Sequence, residues 1–322
     1  MRRQRRKHIP PPPPIVLQPG YIIDGQYEVI RQLGAGACGD VYLAISLTDP
    51  KEEVAVKVEN MLAPKGLFYE RDTLQVLDRR SGGQGRFPRP KSYSQDFDLK
   101  MNMMIMDKLG PSLENRLEMC GGKFSMKTVL MLANQMLECL QFVHNLGYIH
   151  RDIKPENFVM GEGPNRNRVF IIDFGFSKMY RGGQIPHIKC SNSEQSVGTP
   201  LYASLQNHRG YTLSRRDDLE ALGYVLIYFL RGSLPWQGVN TKRISRKNLW
   251  TRILESKQAT SVEDLCEGFP PEFSKYINYC RNLGFDEDPH YFFLRKGLFW
   301  KLFNKLECER DGKFDWDAKN VD

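Results

Sequence analysis

Residues 150–157 read His-Arg-Asp-Ile-Lys-Pro-Glu-Asn, and the apolar run Val169-Phe170-Ile171-Ile172 ends in Asp173-Phe174-Gly175. Together the two segments hold what phosphoryl transfer from a metal-bound nucleotide demands. A hydroxyl acceptor needs a carboxylate beside it to take its proton, a task open to Asp152. Magnesium beneath the phosphates of ATP needs oxygen ligands, which Asn157 and Asp173 can give. Lys154, two residues past Asp152, could reach the phosphoryl in transit. Either triplet alone could arise by chance on a surface loop, but both in this order and at this spacing argue for chemistry.

Such residues need a scaffold that also holds the nucleotide. Tyr27–Leu33 and Val41–Leu47 read as two short strands joined by Gly34-Ala35-Gly36-Ala37-Cys38-Gly39-Asp40. Dinucleotide-binding folds use a similar Gly-x-Gly-x-x-Gly pattern, but there the glycines open a helix, and here they run into a strand. Gly34, Gly36 and Gly39 would let backbone N–H groups face phosphate oxygens, since no Cβ blocks the approach. The segment lacks the Gly-Lys-Ser/Thr ending of a P-loop. Next, Glu53–Glu59 alternates as a half-buried strand, with Ala55 and Lys57 on one face and Val54, Val56 and Val58 on the other. Lys57 reads as a phosphate-holding lysine or as a solvated face residue. Gly66–Leu77 reads as a helix whose inward stripe, Leu67, Leu74 and Leu77, includes Glu70, an acid that Lys57 could neutralise. Glu59, in the strand itself, is the weaker partner. Met103–Met106 reads as a strand entering the connection Asp107-Lys108-Leu109-Gly110, where adenine would meet backbone groups, with Met106 either at the back of that pocket or simply in the core. Leu33, Val41, Ala55, Asp107 and Leu109 complete the expected nucleotide-contacting set. Phe124–Leu146 reads as a helix, and a second buried helix begins near Asp218.

The 322 residues, 41% hydrophobic, suit two small domains or one bilobal one. The longest apolar stretch, Ala221–Leu230, is too short to span a bilayer. The start is basic but runs into Pro10–Pro14 instead of an apolar signal core, so a cytosolic or nuclear protein is expected. Seven dispersed cysteines without a Cys-x-x-Cys suggest reduced thiols, and neither a disulfide framework nor a zinc site. Arg2, Arg3, Arg5, Arg6 and Lys7 supply five of the net +8 charge. This tail has three open readings: a patch for an import receptor, an SH3-type ligand through Lys7-x-x-Pro10-x-x-Pro13, or a solvated arm.

The sequence resembles the casein kinase I family of serine/threonine protein kinases, with the tau-tubulin and vaccinia-related kinases as nearer relatives. The resemblance rests on Leu109-Gly110-Pro111-Ser112-Leu113-Glu114, Tyr148–Gly161, Ile171–Gly175, Ser214-Arg215-Arg216-Asp217-Asp218-Leu219-Glu220 and Gly232–Gly238, and runs from about Tyr21 to Trp316. Tyr202-Ala203-Ser204-Leu205-Gln206 stands where most kinases end the activation segment in Ala-Pro-Glu, and is similar to the family's Ala-Ser-Ile-Asn. The resemblance implies an α+β bilobal kinase fold: a tail over 1–20, a small β-rich lobe over 21–107 and a larger, mainly helical lobe over 108–322. It implies Mg²⁺ and ATP as cofactors and serine or threonine hydroxyls of proteins as acceptors, with no nucleic acid or membrane required, and a monomer. Asp152 and Lys154 would be catalytic, Lys154 being the choice of serine/threonine kinases, and Lys57 with Glu70 would hold the α- and β-phosphates. Asn157 and Asp173 would bind metal, Asp218 would cap the catalytic loop from below, and Thr199 would stand near the base. Activity without phosphorylation of the activation segment (Ser191, Ser193, Ser196 and Thr199) is implied, although Arg151 could pair with a phosphate there.

Three departures from the family pattern bear on function. Cys38 replaces the usual Phe at the tip of the glycine loop, leaving either a reactive thiol or a small neutral filler. Leu201 replaces an arginine that helps bind phosphorylated substrates, and Lys242, Arg243, Arg246 and Lys247, in an expected loop, could restore the charge or form a solvated basic face. The sequence ends soon after Phe314-Asp315-Trp316-Asp317, where many relatives continue into an inhibitory tail. Two rival readings, a pseudokinase scaffold and a small-molecule or lipid kinase, are disfavoured by the presence of Lys57, Asp152, Asn157 and Asp173 and by Lys154, respectively.

Overall fold

The computed structural model describes residues 16–36, 39–62, 66–192, 194–238 and 245–319. The basic, proline-rich start, Cys38, Ser193, Lys242 and Arg243 lie outside these residues. The chain forms two compact units, one of Pro88–Lys108 with the described residues up to Val76, the other of Leu77–Phe87 with the described residues from Leu109 onward.

The first unit is a six-stranded antiparallel sheet, ordered β1 (Ile22–Ile23), β2 (Tyr27–Gly36), β3 (Gly39–Ser46), β4 (Glu53–Asn60), β6 (Met101–Asp107) and β5 (Pro90–Asp96), with helix α1 (Leu67–Ser81) following β4. The alternation read in β4 sorts its residues. Val54, Val56 and Val58 join Ile23, Val29, Met101, Met103 and Ile105 in one apolar cluster, which leaves Ala55 and Lys57 on the opposite face. β2 and β3 stay paired as far as Gly36 opposite Gly39, so the glycine segment is the end of a long hairpin, not a loop between two short strands. Gly39 has φ +124°, and a Cβ there would lie 2.5 Å from the Val58 carbonyl, a place only glycine can occupy.

Two boundaries differ from expectation. β6 runs on through Asp107, expected in the connection, because Asp107 pairs with Val54 and its carboxylate accepts the Arg89 Nε–H at 2.8 Å. α1 continues a turn past Leu77 to Ser81. Arg79 and Arg80 favour its C-terminal dipole, and Gly82 and Gly83, both at positive φ, end it.

In the second unit, α3 (Met126–Asn145) packs against α5 (Arg215–Arg231). Ser125 caps α3 by accepting the Thr128 N–H at 3.2 Å, which puts Phe124 outside the helix, its N–H bonded to the Phe229 carbonyl. α5 starts three residues before Asp218, where Asp217 Oδ2 accepts the Ser214 N–H at 2.8 Å and the Asp217 N–H bonds to the Ser214 carbonyl at 3.1 Å. Asp217 thus makes the bond that starts the helix and leaves Asp218 to the catalytic loop. Around these helices lie α2 (Leu113–Met119), α4 (Leu205–His208), α6 (Arg246–Ala259), α7 (Val262–Leu265) and α8 (Pro271–Asn282). Arg246 and Lys247, expected in a loop, form the exposed first turn of α6 behind its Ser245 cap.

Two short ribbons brace the candidate catalytic segments. β7 (Tyr148–Ile149) pairs with β10 (Lys178–Met179), and β8 (Phe158–Met160) with β9 (Val169–Ile171). β7 and β8 bracket residues 150–157, while β9 and β10 bracket 172–177, so two antiparallel pairings hold both chemistry-bearing stretches. Among the described residues no helix is long and apolar enough to cross a membrane.

Candidate active site

In the first unit the inward-facing acid of α1 meets the lysine of β4. Lys57 Nζ lies 2.6 Å from Glu70 Oε2, and both side chains are buried. A carboxylate sealed into an apolar face is costly without a cation, and the same pair fixes the lysine's reach. Glu59 is engaged elsewhere, accepting the Leu67 N–H at 3.0 Å and an Asn102 amide proton at 3.3 Å. On the hairpin, Gly34 stands opposite Val41, and Val41 opposite Lys57. Ala55 stands opposite Met106 on β6, and Met106 is half-buried where Met103 and Met104 are core. Leu33 is exposed at the rim of β2.

In the second unit Asp152 is the hub. Its Oδ1 accepts the Thr199 hydroxyl at 2.8 Å, and its Oδ2 lies 3.0 Å from Lys154 Nζ. Asn157 donates Nδ2–H to the Asp152 backbone carbonyl at 2.8 Å and contacts Oδ2 at 3.2 Å. With the amide nitrogen so committed, Asn157 Oδ1 is the atom turned to other partners. Burial by itself would pull the Lys154 ammonium down, but Asp152, Glu156 and Asp173 together hold it above its ordinary value. Lys154 is thus cationic at neutral pH, with the Asp173 carboxylate in its electrostatic neighbourhood. Asp173 lies two residues past the end of β9, and the intervening Ile172 N–H bonds to the Asn157 carbonyl at 2.9 Å, tying the two candidate metal ligands together through the backbone. Leu109 enters this unit just ahead of Gly110, whose N–H bonds to the Met160 carbonyl at 2.8 Å.

The backbone around Asp152 is strained and held. Arg151 at φ +69° and Asp173 at φ +65° occupy the left-handed region, at a cost of about 1–3 kcal/mol each. Asp218 supports the first of these: Oδ2 accepts the His150 N–H at 2.7 Å and Oδ1 the Arg151 N–H at 2.8 Å, while His144 Nε2 lies 2.9 Å from Oδ2. Burial would raise this carboxyl, yet the bonds from His144 and the loop leave it below the usual carboxylate value. The Arg151 guanidinium bonds to the Phe176 carbonyl at 2.6 Å and the Ser177 carbonyl at 3.4 Å. Further along the activation segment, Lys178 pairs with Glu194 at 2.7 Å.

Several contributors carry no obvious sequence signal. Gly198 has φ +79°, and a Cβ there would lie 2.5 Å from the Arg151 carbonyl and 2.9 Å from Asp152 Oδ1, so no larger residue fits beside the carboxylate. The His150 ring reaches the Ile172 carbonyl through Nε2 at 3.0 Å and accepts the Asp152 N–H at Nδ1 at 3.3 Å, joining the two catalytic segments. His144 backs Asp218. The glycine is foreshadowed by the Gly-Thr pair it opens and His150 by the motif it opens, whereas His144 shows no spacing that singles it out.

The donors fit a hard cation. Asn157 Oδ1 and the Asp173 carboxylate are oxygen ligands of the kind Mg²⁺ takes, and Mg²⁺ binds by one or two protein groups together with phosphate oxygens and water. Among the described residues no group of three or more His, Cys, Asp or Glu side chains is placed to hold a metal. The protein kinase domain family matches residues 27–283, spanning both the β4 lysine and the Asp152 cluster. The β-rich first unit, the helical second unit and this match make the chain a member of the protein kinase domain family.

Proposed function

We propose that the protein is a serine/threonine protein kinase of the casein kinase I type. The observation that carries the reading is the convergence of Thr199, Lys154 and Asn157 on the one carboxylate of Asp152. Asp152 orients the acceptor hydroxyl and takes its proton, and the flanking Thr199 hydroxyl fixes the carboxylate's rotamer. Lys154 offsets charge on the phosphoryl group during transfer. Lys57, braced by Glu70, holds phosphate oxygens with the hairpin glycines Gly34, Gly36 and Gly39, and Leu33, Val41, Ala55, Met106, Asp107 and Leu109 receive the base and sugar. Asn157 and Asp173 hold Mg²⁺. Bound Mg-ATP supplies the transferable γ-phosphoryl and the cation that neutralises it.

Lys154 favours serine and threonine as acceptors. Activity without activation-segment phosphorylation is supported by the internal ties of that segment, Arg151 to two carbonyls and Lys178 to Glu194. Leu201 offers no charge to a phosphorylated substrate, so unprimed protein segments are the proposed acceptors. The protein acts as a monomer in the cytoplasm or nucleus, with its basic tail available to an import receptor or an SH3-type domain.

The test is transfer of radiolabelled γ-phosphate from Mg-ATP to casein, followed by phosphoamino-acid analysis, with Asp173→Ala alongside. Phosphoserine or phosphothreonine made by the parent and absent with the variant is expected. Phosphotyrosine alone, or ATP binding without transfer, would overturn the reading.

A further inference from the structure

Lys257, near the end of α6, is a buried amine far along the chain from the Asp152 loop. Only 1% of it is exposed. Its Nζ donates to the Pro200 carbonyl at 3.2 Å and the Ala203 carbonyl at 2.5 Å, and lies 4.7 Å and 5.0 Å from the ring centres of Tyr224 and Trp236. The same turn is held by other side chains. Trp236 Nε1–H bonds to the Leu201 carbonyl at 2.8 Å, and His208 Nε2 faces the Pro200 carbonyl at 3.0 Å. The Tyr202 and Ala203 N–H groups close onto the Thr199 carbonyl at 3.2 and 3.1 Å. The carbonyls of Thr199, Pro200, Leu201 and Ala203 are thereby occupied, and the Thr199 hydroxyl remains directed at Asp152.

We propose that Lys257 is a positioning residue for phosphoryl transfer, fixing the turn Thr199–Ala203 so that the Thr199 hydroxyl holds Asp152 in its working rotamer. An apolar side chain would pack α6 against Tyr224 and Trp236 at lower desolvation cost, so the amine is accounted for by the two directed bonds it makes. Burial draws the ammonium well below the ordinary lysine range against the pull of Glu220. The clamp does not depend on the outcome, because both the charged and the neutral amine carry the two N–H donors that the carbonyls need. Sequence alone gives no sign of this role, since Lys257 lies far along the chain from the turn it holds.

The inference rests on the kinase reading above and is tested on the full chain with Lys257→Met and Lys257→Gln. Melting temperature, kcat on casein and KM for ATP are measured, and Lys257→Met is repeated in a Thr199→Ala background. The folded variants should lose kcat about tenfold while KM for ATP changes by less than about twofold, as a small misplacement of the base requires. In the Thr199→Ala background the further loss should be under about twofold, because both changes act through one contact. Three results would overturn the proposal: folded variants with kcat within about twofold of the parent, a full second loss on top of Thr199→Ala, or failure of both variants to fold, which would make Lys257 a stability residue. An inactive parent protein would sink the kinase reading instead.

Discussion

Two lysine–carboxylate pairs, one in each unit, look alike in distance and differ in kind. Lys57 and Glu70 stand 2.6 Å apart with side chains 6% and 3% exposed, and they join a strand to a helix. Lys154 and Asp152 stand 3.0 Å apart within a single loop, where Lys154 keeps 19% exposure and Asp152 also receives Thr199. The first pair is sealed and its geometry is fixed by secondary structure. The second is open on the lysine side and shared among several partners, so its charges remain available to a reacting group. A buried pair mainly holds position, whereas a half-open one can change partners during a reaction.

The sharpest way to break the contrast is to remove each lysine. Lys57→Met leaves the Glu70 carboxylate buried without its cation and should cost about 3–5 kcal/mol of stability, read from urea unfolding. A loss under about 1 kcal/mol would show that Glu70 is compensated elsewhere. Lys154→Met should cost less, about 1–2 kcal/mol, because Asp152 keeps its bonds from Thr199 and Asn157, yet lower kcat on casein by about a hundredfold. Equal losses of stability at the two sites would erase the distinction.

A pH series sharpens it further, because His208 in α4 and Asp217 in α5 are shifted in opposite directions. Burial, helped by Lys257, lowers His208 to about 3, against an ordinary 6.5. The folded state therefore binds fewer protons there than the unfolded chain, and the group's contribution grows as the pH rises from about 3 to about 6.5. Burial raises Asp217 from 3.8 to about 7, so its contribution is lost as the pH rises through that window. Relative to the parent, Asp217→Asn should gain stability from pH 4 to pH 7, and His208→Gln should lose it from pH 3 to pH 6.5. Parallel unfolding curves across the window would refute both assignments. The smallest expected effect concerns Leu201: a phosphoserine placed three residues before the target should change kcat/KM by less than about twofold, because Leu201 offers no charge to it. Strong stimulation would assign the anion to the basic residues nearby.

Much of the site was legible because it is local. Asp152, Lys154 and Asn157 lie within one short loop, and the helical period alone turns Glu70 inward. The alternation of β4 likewise divided its valines from Lys57. Legibility failed where a contact joins distant segments through the backbone. Asp218 is placed beneath the catalytic loop by resemblance alone, because its bonds to the His150 and Arg151 N–H groups join segments far apart in sequence. Gly198 is required by a carbonyl and a carboxylate pressed against its Cα, and Lys257 by two carbonyls far away in sequence. None of these demands leaves a periodic trace. Asp107 read as connection because the register of β4 against β6, which claims it for the sheet, is a tertiary fact.

The most direct test of the central claim is Asp152→Asn, with kcat on casein and the dissociation constant for ATP measured on one preparation. The account predicts that turnover falls by about 10²–10⁴-fold while ATP affinity stays within about twofold, because Asp152 serves the acceptor hydroxyl and Lys57 with Glu70 serves the phosphates. Near-normal turnover in that variant would contradict it.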